Sequence, residues 1–161
     1  ALSTEKMNKI DLITIVQSVV DDFNNIYIEK RGIKIELITN NSKKDFKILG
    51  IENRIEQILA NLLDNAISFS KDKQKIIVEV EKNQNDQVIL RVIDQGQGFK
   101  EKKLNKIFDR FYSNRPDKFG EHSGLGLNIV KNLVELHSGI IDASNNIDQG
   151  GARIEIVFPK V

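Results

Sequence analysis

Asn61 and Asn65 stand four residues apart in the run Asn61-Leu62-Leu63-Asp64-Asn65-Ala66. On a helix that spacing sets two carboxamides side by side, looking out, while Leu62, Leu63 and Ala66 face a core. A carboxamide oxygen is a hard neutral ligand suited to Mg²⁺, which keeps several waters and takes its other oxygens from nucleotide phosphates. A solvated polar face has the same spacing, so the pair decides nothing alone. Val92-Ile93-Asp94-Gln95-Gly96-Gln97-Gly98 ends a strand on a carboxylate and follows it with two glycines, which let the backbone come close to a ligand. A buried carboxylate there can accept a hydrogen bond from an exocyclic amine, as adenine offers, although Asp and Gly are also the commonest turn residues. Ser123-Gly124-Leu125-Gly126-Leu127 places glycines at the opening of a helix, where free amides and the positive dipole end attract phosphate oxygens. A flexible turn with Ser123 as N-cap reads equally well. Phe108-Asp109-Arg110-Phe111-Tyr112 is followed by the cations Arg115 and Lys118. Aromatic residues three apart suit a core as well as a cofactor, and each cation is either a phosphate clamp or simply solvated.

Elements that would carry these groups are legible from periodicity. After Ile10-Asp11-Leu12, the residues Ile13, Val16, Val19, Val20, Phe23 and Ile26 recur at helical spacing up to Arg31-Gly32, where glycine is a natural stop. Ile33, Ile35 and Leu37 alternate with charged residues as a half-buried strand, and residues 46–50 read as a short second one. From Ile51 to Phe69 the apolar spacing is helical throughout. Strands over 75–82 and 87–94 flank the turn-prone Asn83-Gln84-Asn85-Asp86 and predict a hairpin. The irregular stretch 95–123, with a short helix around Leu104 to Phe108, has the length of a functional loop or lid. A third helix over 124–136 and strands near 140–144 and 153–158, turning at Gly150-Gly151, follow. Amphipathic helices and half-buried strands in this order satisfy an α/β two-layer sandwich, with three main helices on one face of a mixed sheet and a single domain over 1–161.

Composition bounds the partners. The chain has 161 residues, 24 Lys and Arg against 23 Asp and Glu, and no Cys. A net charge of +1 gives no electrostatic reason to expect nucleic acid or an acidic membrane. Absence of Cys removes disulfides, thiolate catalysis and Cys-based zinc sites, and fits a reducing cytosol. No apolar stretch approaches the roughly 20 residues of a membrane span. Ala-Leu-Ser-Thr-Glu-Lys at the start lacks the pattern of a signal peptide and reads as a boundary within a longer chain.

Taken in order, Asn-x-x-x-Asn, Asp-x-Gly-x-Gly, Phe-x-x-Phe-Tyr and Gly-Leu-Gly-Leu resemble the N box, first glycine box, F box and second glycine box of the catalytic and ATP-binding domain of bacterial two-component sensor histidine kinases. The resemblance runs from Ile10-Asp11-Leu12 to the Arg153–Phe158 strand. It implies the left-handed Bergerat ATP-binding sandwich, with a mostly antiparallel sheet, shared with gyrase, heat-shock chaperone and mismatch-repair ATPases. By the same resemblance Asn65 coordinates Mg²⁺, Asn61 supports the phosphate side, Asp94 holds the adenine amine, and Gly96 and Gly98 make room for the base. Ser123, Gly124, Leu125, Gly126 and Leu127 line the triphosphate of ATP, and residues 95–123 form the ATP lid. Ser68, Phe69, Phe108, Tyr112, Arg115 and Lys118 join the nucleotide surround.

Hydrolytic and serine-kinase relatives resemble this pattern but carry Glu where Asn61 stands, as the base that activates water or a hydroxyl. A carboxamide cannot accept a proton at neutral pH, whereas a neutral imidazole already offers a lone pair, so Asn61 favours transfer to histidine. Many histidine kinases have Lys at the position of Ser68, Tyr at Phe69 and Arg at Ser113; Arg115, ahead of Lys118, is the expected replacement cation. Asn-Ala-Ile-Ser-Phe-Ser together with Phe-Gly-Glu-His-Ser-Gly-Leu-Gly-Leu looks like the envelope-sensing kinases of alphaproteobacteria. His122 and His137 lack the His-Glu/Asp-x-x-Thr-Pro context of a phospho-acceptor and read as structural. The expected activity is presentation of the γ-phosphoryl group of Mg-ATP to a histidine on a separate dimerisation and phosphoacceptor domain, with a response-regulator receiver domain downstream. The fragment would then be a cytoplasmic part of an inner-membrane sensor kinase, without membrane contact of its own. The rival expectation is a degenerate domain that docks or binds nucleotide without transfer.

Overall fold

The computed structural model describes residues 6–40, 45–100, 104–109, 126–146 and 150–161. A five-stranded sheet forms the frame. In spatial order it runs β2 (Lys34–Thr39), β4 (Lys75–Lys82), β5 (Val88–Ile93), β7 (Ala152–Phe158) and β6 (Ile140–Asn145). Only the β2–β4 pair is parallel; β4–β5, β5–β7 and β6–β7 are antiparallel. Helices α1 (Leu12–Arg31), α2 (Glu52–Phe69) and α3 (Gly126–Leu136) complete the second layer. The expected two-layer sandwich of three helices on a mixed, mostly antiparallel sheet is therefore the fold.

Strand alternation decides which face the helices cover. Ile76, Val78 and Val80 of β4, Val88, Leu90 and Val92 of β5, and Ile154, Ile156 and Phe158 of β7 are buried, and they join Leu12, Val16, Ile55, Leu59, Leu62, Leu63, Val130 and Val134 from the helices in one cluster. The other face carries charge. Arg91 of β5 sits in register with Glu79 on one side and Glu155 on the other, donates to Glu155 Oε2 at 2.6 Å and pairs with Glu79 and Glu81. These contacts raise the Arg91 guanidinium against the desolvation that opposes its charge.

Helix ends follow their sequence signals with one exception. Asp11, in extended backbone, accepts from the Ile13 N–H at 3.3 Å and caps α1. Gly32 ends it at φ +65°, donating to the Ile28 carbonyl at 2.9 Å while Ile33 donates to Tyr27 at 3.1 Å. The start of α2 has no side-chain cap of its own, because Ile51 is the residue before it. His137, buried just past α3, accepts the Ile51 N–H on Nε2 at 3.1 Å, with its Nδ1 2.7 Å from the Leu133 carbonyl oxygen. The donor must sit on Nδ1, so His137 is the neutral tautomer that ties α3 to α2.

Two features depart from the sequence expectation. Residues 8–11, read only as the lead-in to a helix, form β1 (Asn8–Asp11), and the short strand β3 (Lys47–Gly50) pairs with it in a separate two-stranded sheet. The hairpin at 83–86 is as expected: Asn83 Oδ1 accepts from the backbone of Asn85 and of Gln87 at 3.0 Å each, and Asp86 takes φ +60°.

Candidate nucleotide site

Asp94 follows the last residue of β5 and is 3% exposed. Its Oδ1 accepts two backbone N–H groups, Gly96 at 2.9 Å and Ala152 at 3.1 Å, while its own N–H donates to the Ala152 carbonyl at 3.0 Å. The carboxyl is thus held like one rung of a ladder between β5 and β7, with no described residue donating to Oδ2. Burial raises its pKa above the ordinary 3.8, and the two N–H bonds pull the other way. A carboxylate that the described residues bind on one oxygen, at the end of a central strand, keeps acceptor capacity on the other.

The glycines beside it are packed against protein. A Cβ on Gly96 would stand 2.2 Å from the Phe69 carbonyl oxygen, so the loop lies directly on the last residue of α2. Gly98, at φ +76°, has the Asn145 Oδ1 2.8 Å from the Cβ position and the Gly151 carbonyl 3.1 Å away. Gly151, at φ +88°, approaches so closely that a Cβ would be 2.0 Å from the Asp94 carbonyl oxygen. At these α-carbons the room expected for a base is taken by neighbouring backbone and side chains, and what glycine supplies is the close approach of three chain segments.

The asparagine pair is placed differently from the expectation of two outward carboxamides. Asn61 is half-buried, but Asn65 is 3% exposed and lies in a run of buried residues through Ala66, Ile67, Ser68, Phe69 and Ser70. Helix α2 packs against α1, α3 and the sheet, so cover from neighbouring elements rather than the helix's own periodicity decides which of its polar residues reach solvent. Ser68 uses its hydroxyl on the Asn65 carbonyl at 2.7 Å. Phe69 meets Phe99 edge-on, with ring centroids 6.0 Å apart. Phe108 and Leu127 both have side chains in the hydrophobic cluster, Phe108 accepting from Asn128 Nδ2 through its carbonyl at 3.1 Å. Gly126 opens α3. Tyr112, Arg115, Lys118, Ser123, Gly124 and Leu125, together with His122, lie outside the described residues.

Three supports escaped the sequence reading. Arg31, at the end of α1, donates from Nη1 to the Ile67 carbonyl at 3.0 Å, from Nη2 to the Ser70 carbonyl at 2.7 Å and from Nε to Asp72 at 2.8 Å. It thereby closes off the carbonyls at the end of α2 under Phe69. Gln95 Oε1 accepts the Lys75 N–H at 2.8 Å, tying the loop to β4. Asn145, from the far edge strand, bonds both backbone groups of Phe99. Each partner is distant in sequence, which is why no local pattern marked it.

Residues 50–161 match the family described as histidine kinase-, DNA gyrase B- and HSP90-like ATPases. Among curated proteins, the sensor protein ChvG of Agrobacterium fabrum is 33% identical over 98% of this chain and 28% of its own length. The sensor protein kinase PmrB of Pseudomonas aeruginosa is 31% identical over 97% of this chain and 31% of its own length. The chain thus spans under a third of these relatives. Among solved structures, the nucleotide-free catalytic domain of the histidine kinase ThkA superimposes with a TM-score of 0.82 at 27% identity, covering 96% of both chains.

Proposed function

The chain belongs to the histidine kinase-, DNA gyrase B- and HSP90-like ATPase family, and from that premise we propose that it binds Mg-ATP and presents the γ-phosphoryl group to a histidine on a separate phosphoacceptor domain of a sensor kinase. One observation carries the nucleotide half of the reading: the buried Asp94 carboxyl, fixed through Oδ1 and with Oδ2 free of any donor among the described residues, suits the N–H donor of an adenine amine. Asn61 carries the other half, because a carboxamide in the place where a hydrolase needs a base leaves the nucleophile to be supplied from outside.

Among the described residues no group of three or more His, Cys, Asp or Glu side chains could hold a metal ion. Asn65, 3% exposed, is the residue proposed to hold Mg²⁺, because a carboxamide oxygen is a ligand of the hard, neutral kind that the ion accepts beside water and phosphate. When bound, the ion would neutralise charge on the transferring phosphoryl group. The chain's own residues position: Asp94 orients the base, the Gly126 opening of α3 offers amides toward phosphate, and Asn61 supports the phosphate end without taking a proton. The histidine kinase ThkA has been crystallised in complex with the response regulator TrrA, and at 25% identity and a TM-score of 0.79 it matches 96% of this chain. A receiver domain of that class is the proposed recipient of the phosphoryl group once it has reached histidine. The family and the relatives' names support an assignment to a sensor kinase, and a place beneath a membrane is the further part of the proposal; no helix among the described residues is long and apolar enough to cross one.

The test uses labelled ATP and a supplied helical domain bearing a phospho-accepting histidine. Label should reach histidine only when Mg²⁺ is present, and the chain alone should turn over almost no ATP. Steady hydrolysis without an acceptor would reverse the reading of Asn61; nucleotide binding with no transfer would favour a docking module.

A further inference from the structure

We propose that Asn145 is a positioning residue for the nucleotide site, holding the Asp94–Phe99 loop in its binding geometry from the opposite edge of the sheet; the inference rests on the ATP-binding reading above. Asn145 ends β6, an edge strand two places from β5. Its Oδ1 accepts the Phe99 N–H at 2.7 Å and its Nδ2 donates to the Phe99 carbonyl at 3.0 Å. One carboxamide thereby satisfies both backbone groups of a single residue, as a neighbouring strand would, in a place where no strand pairs with the loop. Asparagine supplies the acceptor and the donor on two separate atoms of one planar group, which an ionised aspartate, a serine hydroxyl and leucine do not.

The grip falls where the loop has the least freedom to compensate. Gly98, beside the gripped residue, is at φ +76° with Asn145 Oδ1 against its bare α-carbon. Phe99 itself is 5% exposed, its ring edge-on to Phe69. Asn145 is also paired in register with Ala152, the residue whose N–H holds Asp94 Oδ1 and whose carbonyl takes the Asp94 N–H. The β6–β7 pair therefore grasps the loop twice, at Asp94 through β7 and at Phe99 through Asn145. Between those points lie Gln95, Gly96, Gln97 and Gly98, and their path is determined by its two ends. With Phe99 released, Asp94 keeps its own bonds, but the glycine segment over Phe69 loses its far anchor.

A residue acting in this way affects the base-binding end of the site and leaves the phosphate end alone. In Asn145→Ala the dissociation constants for ATP, ADP and AMP should all rise by a common factor of about ten, because the ligand must then reorder a loop that two hydrogen bonds no longer hold, with a thermal transition that is lowered but still cooperative. Hydrogen exchange of the Phe99 amide without nucleotide should accelerate in Asn145→Ala and stay slow in Asn145→Asp, which keeps the acceptor and gives up the donor. Unchanged affinity despite a released Phe99 amide overturns the inference, and so does an unchanged exchange rate. A parent chain that binds no ATP would instead refute the proposed function, while the exchange measurement, which needs no nucleotide, still decides whether Asn145 anchors the loop.

Discussion

Asp94 concentrates two opposed requirements in one carboxyl. Desolvation favours its protonated form, and a waiting amine requires its charged form. Because its folded pKa is raised above 3.8, the folded chain holds more protons than the unfolded one between those two values. Stability contributed by this group therefore falls as pH rises through the window and stays low above it. Nucleotide affinity moves the other way, lost as pH falls through the same window and the acceptor becomes protonated. Asp94→Asn should flatten the first dependence, leave the apo chain at least as stable at neutral pH, and weaken ATP binding by about tenfold to a hundredfold, the range for a hydrogen bond to a charged group. Urea midpoints and calorimetric affinities measured across the acid range check both slopes. An Asp94→Asn chain that binds ATP as tightly as its parent would remove Asp94 from the site.

At the scale of elements, α2 is the platform and Arg31 is what finishes it. One guanidinium reaches two carbonyls at the helix end and the Asp72 carboxylate, a fork that a single ammonium cannot reproduce. Arg31→Lys should accordingly cost about 1–3 kcal/mol of stability by leaving enclosed carbonyls short of donors, read as a lowered urea midpoint with an unchanged slope. A midpoint equal to the parent's would show that water serves those carbonyls equally well. Elements whose identity lies in their own periodicity were legible in sequence: α1 with its Gly32 stop, α2 through Leu62 and Leu63, and the β4–β5 hairpin with its Asn83 turn. Strand β1 was not, since four residues carry too little alternation and its partner begins at Lys47. Neither was the burial of Asn65, which is a matter of tertiary packing, nor the grips of Arg31 and Asn145, whose partners are brought near only by the completed fold. The candidate residues could therefore be named one by one from the sequence, whereas the contacts that hold Asp94, Phe99 and the end of α2 in place could not.

For the molecule as a whole, ligand binding and folding stability are one measurement. A ligand that binds only the folded chain at about a hundred times its dissociation constant adds about 2.7 kcal/mol, which for a chain of this size raises the melting temperature by roughly 5–10 °C. Mg-ATP should produce that shift in the parent chain and a smaller one, roughly 1–5 °C, in Asp94→Asn, whose tenfold to hundredfold weaker binding leaves about 0.4–1.4 kcal/mol at the same concentration, as scanning calorimetry would record; a parent chain with no shift would contradict nucleotide binding. The ladder between Asp94 and Ala152 also has a temporal meaning. Ribosomes deliver residue 94 long before residue 152, so the nascent chain holds the carboxyl proposed to take adenine before its inter-strand partner among the described residues exists. On the proposed function, nucleotide would stabilise this protein only after β7 has emerged and inserted between β5 and β6, and would not act as a scaffold for the earlier stages of synthesis.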